Sequence, residues 1–307
     1  MDLDHSTITA ARASATRAAR RSRVRIRTLD STTDSFTTEK FLSDVWQTAP
    51  EQPPIAADVI KAIADAGSYV AGAIDASGDD GGSEAGSEGE LIGACIGFWG
   101  PPGGNGMHSH IAGVHAGTRG RSVGLALKLD QRARVLEHGV GEITWTFDPL
   151  VARNAHFNLR KLGGTVDRYL VDHYGRLADG INGDDPSDRL LLRWDLAGPR
   201  ARAACDTTAS AALPEASTAP EPAGPTPRAV LENVDDRPVP RAVPLGDGPV
   251  LVTVPPDIEQ LRTRDPRIAA DWRTAVRDTL GALLADGGRV VDFDRTLCGY
   301  IVEDGAV

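Results

Sequence analysis

Between Ile111 and Leu127 an apolar run ends in the turn Gly117-Thr-Arg-Gly-Arg-Ser-Val-Gly124, which opens directly into a helical pattern. A helix start leaves backbone N–H groups without upstream carbonyls, and the peptide dipoles there favour an anion. Gly120 and Gly124 let a ligand approach the main chain closely. Arg119 and Arg121 add charged donors, and Val123 and Ser122 complete the helix start. The chemistry implied is phosphate binding. The turn lacks the Gly-Lys-Ser/Thr ending of a nucleotide-hydrolysing P-loop, and it misses the Gly-x-Gly-x-x-Gly dinucleotide spacing. An ordinary glycine-rich turn capped by Ser122 is the plain alternative.

Titrating groups flank this turn. His108 and His110 share one face of the strand His108–His115, and His115 takes the other. A neutral imidazole can act as a base near neutral pH. Glu142 enters the strand Glu142–Phe147 and Asp148 leaves it, so the catalytic candidates are His115, His110, Glu142 and Asp148. Surface solvation of Glu142 and turn capping by Asp148 are the ordinary alternatives. Trp145 and Phe147 share a strand face and either line a substrate pocket or fill core. Arg273 and Arg277 lie one helical turn apart, placed to clamp a substrate carboxylate or to pair with Asp271 and Asp278. His108 and His110 have no further ligands at metal spacing, so no metal is expected.

The elements that must position these groups follow from periodicity. Strands are expected at Val24–Leu29, Tyr69–Ile74, Leu91–Trp99, His108–His115, Glu142–Phe147 and Thr165–Tyr169, with helices at Glu39–Trp46, Ile55–Ala66, Val123–His138 and Arg153–Leu162. Several strands precede the first strand–turn–helix unit. That order implies an α/β (α+β) fold with a mixed, mostly antiparallel central sheet flanked by helices, and it excludes a doubly wound dinucleotide fold. Residues 1–22 are expected to be a disordered, arginine-rich leader, residues 23–200 the main domain, and residues 201–248 an Ala/Pro-rich linker or insertion. Residues 249–307 are expected to be a C-terminal helix-and-strand segment packing on the main domain, with a helix over Pro266–Leu284 and a closing hairpin.

The chain has 307 residues, 41% of them hydrophobic, enough for one large core or two domains. Its formal net charge of -10 argues against a nucleic-acid partner, although the arginine-rich leader keeps that reading in view. No apolar run is long enough for a membrane span. The three cysteines are too widely spaced for a disulfide framework or zinc knuckle, so a cytoplasmic protein is expected. A homodimer is the assembly considered.

The segment Arg119-Gly-Arg-Ser-Val-Gly124 resembles the Arg/Gln-x-x-Gly-x-Gly/Ala signature of the GNAT acyltransferases, with Ser122 at the first glycine position. Asn154-Ala-His-Phe-Asn-Leu-Arg-Lys-Leu-Gly163 is similar to the family's helix after the fifth strand. Further phrases, among them Ile143–Leu150, Asp179–Gly183 and Pro186–Arg189, resemble a bacterial branch of the family. The resemblance implies a GNAT-like acyl-CoA N-acyltransferase fold. It implies acetyl-CoA or another acyl-CoA as co-substrate and a small-molecule amine, such as an amino acid, as acceptor. It places the cofactor on Val114, Arg119, Gly120, Arg121, Ser122, Val123, Gly124 and Asn154. Leu159 stands where many relatives carry a general-acid tyrosine, and an aliphatic chain cannot donate a proton. A non-catalytic acyl-CoA-binding or partner protein is therefore the alternative.

Overall fold

The computed structural model describes residues 4–78, 89–104, 106–175, 185–210, 226–242 and 248–305. The expected motif Asp179–Gly183 lies outside the described residues. The chain divides into two compact units, Met1–Trp145 with Asp195–Ser210, and Thr146–Trp194 with Ala211–Val307.

The first unit is built on strands β1 (Val24–Thr28), β2 (Tyr69–Asp75), β3 (Leu91–Trp99), β4 (Gly106–Val114) and β5 (Glu142–Phe147), hydrogen-bonded in that order. The first four pair antiparallel, and β4 and β5 run parallel. The sheet is therefore mixed and mostly antiparallel, with helices on its faces, as the element order requires. Helices α2 (Thr32–Trp46) and α3 (Ala57–Asp65) cover one face. Leu29, Phe41, Leu42, Ile55, Ile60, Val70, Ala94, Ile96 and Ile111 form the core between them. Ser31 and Asp34 close a reciprocal capping box, which starts α2 at Thr32, well before the expected Glu39.

Helix α4 (Val123–Glu137) covers the other face, with Val123 and Leu127 beside Gly93. Eleven of its fifteen residues are buried, Lys128, Gln131 and Arg132 among them. A helix buried on nearly all sides needs cover on its outer surface too. That cover is α1 (His5–Arg21), which also meets α6 (Pro199–Ser210). The leader expected to be disordered is thus a seventeen-residue helix. Thr7, Ala11, Ser14, Ala15 and Ala18 make its buried stripe. Small residues there allow close helix approach, and its arginines stay outside, where Arg12 pairs with Glu137.

In the second unit, α5 (Ala152–His156) continues as a π-helical turn, Phe157–Lys161. Strands β6 (Thr165–Leu170) and β7 (Arg189–Asp195) pair antiparallel. The expected linker is ordered in part, as β8 (Arg228–Val234) and β9 (Arg237–Pro240). These join β10 (Val250–Thr253), β11 (Arg289–Asp294) and β12 (Gly299–Glu303) in a sheet of order β11-β12-β10-β8-β9. Helices α7 (Ile258–Arg264), α8 (Pro266–Val276) and α9 (Ala282–Ala285) belong to this unit. A π-helical turn at Arg277–Gly281 separates α8 from α9, where one continuous helix is expected from periodicity.

Candidate functional site

The turn after β4 is held in an uncommon backbone. Gly120 has φ 86°, and Ser122, directly before α4, has φ 61° and ψ 28°, both left-handed. Ser122 makes no side-chain cap. Upstream, the Nδ1 of His115 accepts the Gly117 N–H, so His115 caps a short 3₁₀ turn, Ala116–Thr118, beyond the strand end. The Arg121 N–H donates to Thr118, and the Leu125 and Ala126 N–H groups donate to the Ser122 carbonyl. Among the described residues the N–H groups of Ser122, Val123 and Gly124 meet no acceptor. Three free donors converge at the positive end of a fifteen-residue helix. A Cβ on Gly124 would lie 3.6 Å from the Val114 side chain, in ordinary van der Waals contact with the end of β4.

Arg119 is exposed and makes no side-chain bond among the described residues. Arg121 turns away from the free amides. Its Nη1 and Nη2 donate to both Asp75 oxygens at 2.9 and 2.8 Å, and its Nη2 reaches the carbonyls of Ser22 and Arg23 at 3.1 Å. Arg121 holds the Asp75 carboxyl well below the usual carboxylate range. The phosphate-donor role expected for Arg121 is replaced, in this structure, by an internal ion pair.

Strands β4 and β5 pair only over Gly106–His108 and Glu142–Thr144. Beyond His108 they part while β4 runs on to Val114. Strand hydrogen bonds alternate sides. The His115 N–H donates to Ile92 of β3, so the main-chain groups of Val114 and Ala112 point to the opened edge. The β3–β4 register skips His110, which pairs with neither neighbour of Ile96/Gly97. This bulge shifts the side-chain phase. Phe98, His108 and His110 lie together, with ring centroids 5.3 and 6.0 Å from Phe98. His110 is exposed, while lost hydration around it lowers its pKa and favours the neutral imidazole. His108 lies 3.4 Å from the Thr144 hydroxyl.

Asp148 is buried, and Arg273 donates to both its oxygens at 2.8 Å. Arg262 adds a third bond at 2.8 Å and bridges to Asp185. Arg277 donates to both oxygens of Asp188, which also accepts the Tyr169 hydroxyl. Arg273 and Arg277 therefore clamp carboxylates of this chain, and Asp148, held in the carboxylate form by Arg273, has no open oxygen for an amine. Trp145 and Phe147 are buried. The Lys128 ammonium sits 4.1 Å from the Trp145 ring centre, so Trp145 packs within the first unit's core. Glu142 is half-buried at the start of β5, and Asn154 is exposed on α5 in the second unit. Leu159 is buried. Among the described residues no three His, Cys, Asp or Glu side chains converge as a metal cage.

Two residues were missed by sequence reasoning. Asp75 ends β2, and nothing local marks it as the partner of Arg121. Lys128 interrupts the apolar phrase Leu125-Ala-Leu-Lys-Leu129, which is a visible signal. Its ammonium donates to Ser109 at 2.7 Å and Gln131 at 3.0 Å, directly where β4 and β5 begin to part.

No family model and no curated protein matches the chain. Solved structures similar to it are acetyltransferases. A protein assigned to the GNAT family from Desulfovibrio desulfuricans is 17% identical over 56% of this chain and 99% of its own, with a TM-score of 0.42. The ribosomal-protein-S18-alanine N-acetyltransferase from Escherichia coli is 13% identical over 56% and 94%, with a TM-score of 0.41. The GNAT superfamily phosphinothricin acetyltransferase from Sinorhizobium meliloti, solved in complex with acetyl-CoA, is 15% identical over 56% and 87%, with a TM-score of 0.41. These name the family that the turn resembles. At such identities and TM-scores they show nothing about activity.

Proposed function

We propose that the first unit binds an acyl-coenzyme A and transfers its acyl group to the amine of a small molecule. The observation that carries this reading is the set of three free amides, Ser122, Val123 and Gly124, beside the opened edge of β4. A diphosphate matches the amides in charge and donor number. An extended amide-bearing arm matches a strand edge that offers alternating N–H and C=O groups at Ala112 and Val114. Arg119 is the cation available to the phosphates.

In the transfer, the neutral amine attacks the thioester carbon. A C–N bond forms, the C–S bond breaks, and the sulfur leaves as thiolate. An edge N–H of β4 supports the developing oxyanion. His110 takes the amine proton, directly or through water; its neutral form prevails at pH 7. With Leu159 at the usual acid position, solvent protonates the thiolate. Acetyl is the default acyl group, and an amino acid the default acceptor.

Titration calorimetry with coenzyme A, followed by thiol release from acetyl- and succinyl-CoA with pooled amino acids, tests the reading. Gly124→Asp is expected to abolish binding, because it sets bulk and negative charge against the diphosphate. His110→Gln is expected to keep binding and lower kcat about 100-fold. No uptake by the native chain would end the proposal. The buried Leu159 favours one second reading, acyl-CoA binding without transfer. Uptake with no thiol release across the amine panel would select it.

A further inference from the structure

Arg121 occupies the centre of the turn, between the two left-handed residues Gly120 and Ser122. Gly120 leaves the main chain other conformations, and the free amides are presented in the one where Gly120 and Ser122 are both left-handed. The Arg121 side chain fixes that one. Its guanidinium joins four segments: the turn itself, the end of α1 through the Ser22 carbonyl, the start of β1 through the Arg23 carbonyl, and the end of β2 through Asp75. Asp75 is held in turn by the Ser77 N–H at 2.9 Å and by the Ser77 hydroxyl. The Arg23 carbonyl also accepts the Ala76 N–H at 3.0 Å, so the anchor is tied to β2 twice.

We propose that Arg121 and Asp75 are positioning residues for the diphosphate of the acyl-CoA, acting through the backbone of the turn with no contact between the guanidinium and the ligand. This rests on the acyl-CoA reading above. It explains why one of two neighbouring arginines is neutralised internally while Arg119 stays open. It also gives α1 a function, because the carbonyls that close the helix end on the guanidinium belong to the segment that α1 delivers. Preorganised donors lose less freedom on binding. The strap therefore acts on affinity, and the chemical step is left alone.

The test is a double-mutant cycle on the full chain, with coenzyme A as the calorimetric probe. Asp75→Asn and Arg121→Gln are each expected to weaken binding about tenfold, a loss of about 1.4 kcal/mol. The double variant is expected to be no weaker than either single one, because one unit has been broken. KM for acyl-CoA rises with kcat held. Arg121→Lys keeps the charge, loses the fork, and is expected to behave like Arg121→Gln. Hydrogen exchange of the ligand-free protein supplies a separate readout. The Leu125 and Ala126 amides, bonded to the Ser122 carbonyl, exchange faster in Asp75→Asn at an unchanged melting temperature.

The proposal is overturned if Arg121→Gln loses far more affinity than Asp75→Asn and the effects add, for then Arg121 touches the ligand. It is also overturned if neither variant changes affinity or exchange. Faster exchange in Asp75→Asn, together with no uptake of coenzyme A by the native chain, would keep the strap and remove the acyl-CoA reading.

Discussion

Ser122 adopts a backbone that glycine takes freely and other residues avoid, at a cost of about 1–2 kcal/mol. Its hydroxyl caps nothing, so serine recovers little there. Ser122→Gly is expected to stabilise the chain by about 0.5–1 kcal/mol, net of the extra chain entropy of glycine. Urea titration checks it, and a lower midpoint would mean that the strain is relieved elsewhere. A second single-residue effect concerns His156. Lost hydration, together with Lys161, Arg295 and Arg160, lowers its pKa to about 4. The unfolded imidazole titrates near 6.5, so the unfolded chain binds the extra proton first as pH falls. Stability contributed by the neutral folded form is complete above that value and is lost between about pH 6.5 and 4. Melting curves at pH 7 and 5 are expected to differ less for His156→Gln than for the native chain.

At the scale of elements, the second unit ties α5's leading turn, β6–β7 and α7–α8 through buried charge. Asp148 precedes α5, Arg262 lies in the last turn of α7, and Arg273 lies in α8. Removing one partner strands the others away from water. Asp148→Leu or Arg273→Met alone is expected to cost about 3–5 kcal/mol, whereas the double replacement costs less than either. Additive losses in denaturant titration would show that the pair is not coupled. The strands of the first unit were legible because short apolar or alternating runs are bounded by polar, glycine and proline residues, and their bounds fall within two residues of expectation. Helix α1 was not, since its buried face is alanine, serine and threonine, and what seals it is α4, more than a hundred residues on. The glycine turn before α4 was legible because its signal is local. The pairings of Arg121 with Asp75 and of Asp148 with Arg273 were not, because such contacts are set by the fold. Asp271 and Asp278 looked like the natural partners of Arg273 and Arg277 only because they are near in sequence. The π-helical turn at Arg277–Gly281 was likewise invisible to a period of 3.6 residues.

For the whole molecule, the chain leaves the first unit after Trp145, returns at Asp195, and leaves again after Ser210. Residues 146–194 therefore complete their unit with residues far downstream. A chain ended at Ser210 would keep Asp148 and Asp188 and lose Arg262, Arg273 and Arg277. That truncation is expected to give insoluble protein or to lack a cooperative melt, read by circular dichroism. A soluble, cooperatively melting fragment would mean that the buried arginines are dispensable. Among the described residues no helix is long and apolar enough to cross a membrane.

The sequence contains four lysines against many more arginines, and one of the four, Lys128, is sealed between α4 and the sheet. An amine-selective tag should consequently skip that position for as long as the helix stays seated. Mass spectrometry of tagged fragments would turn a scarce residue into a clock for breathing of the interior.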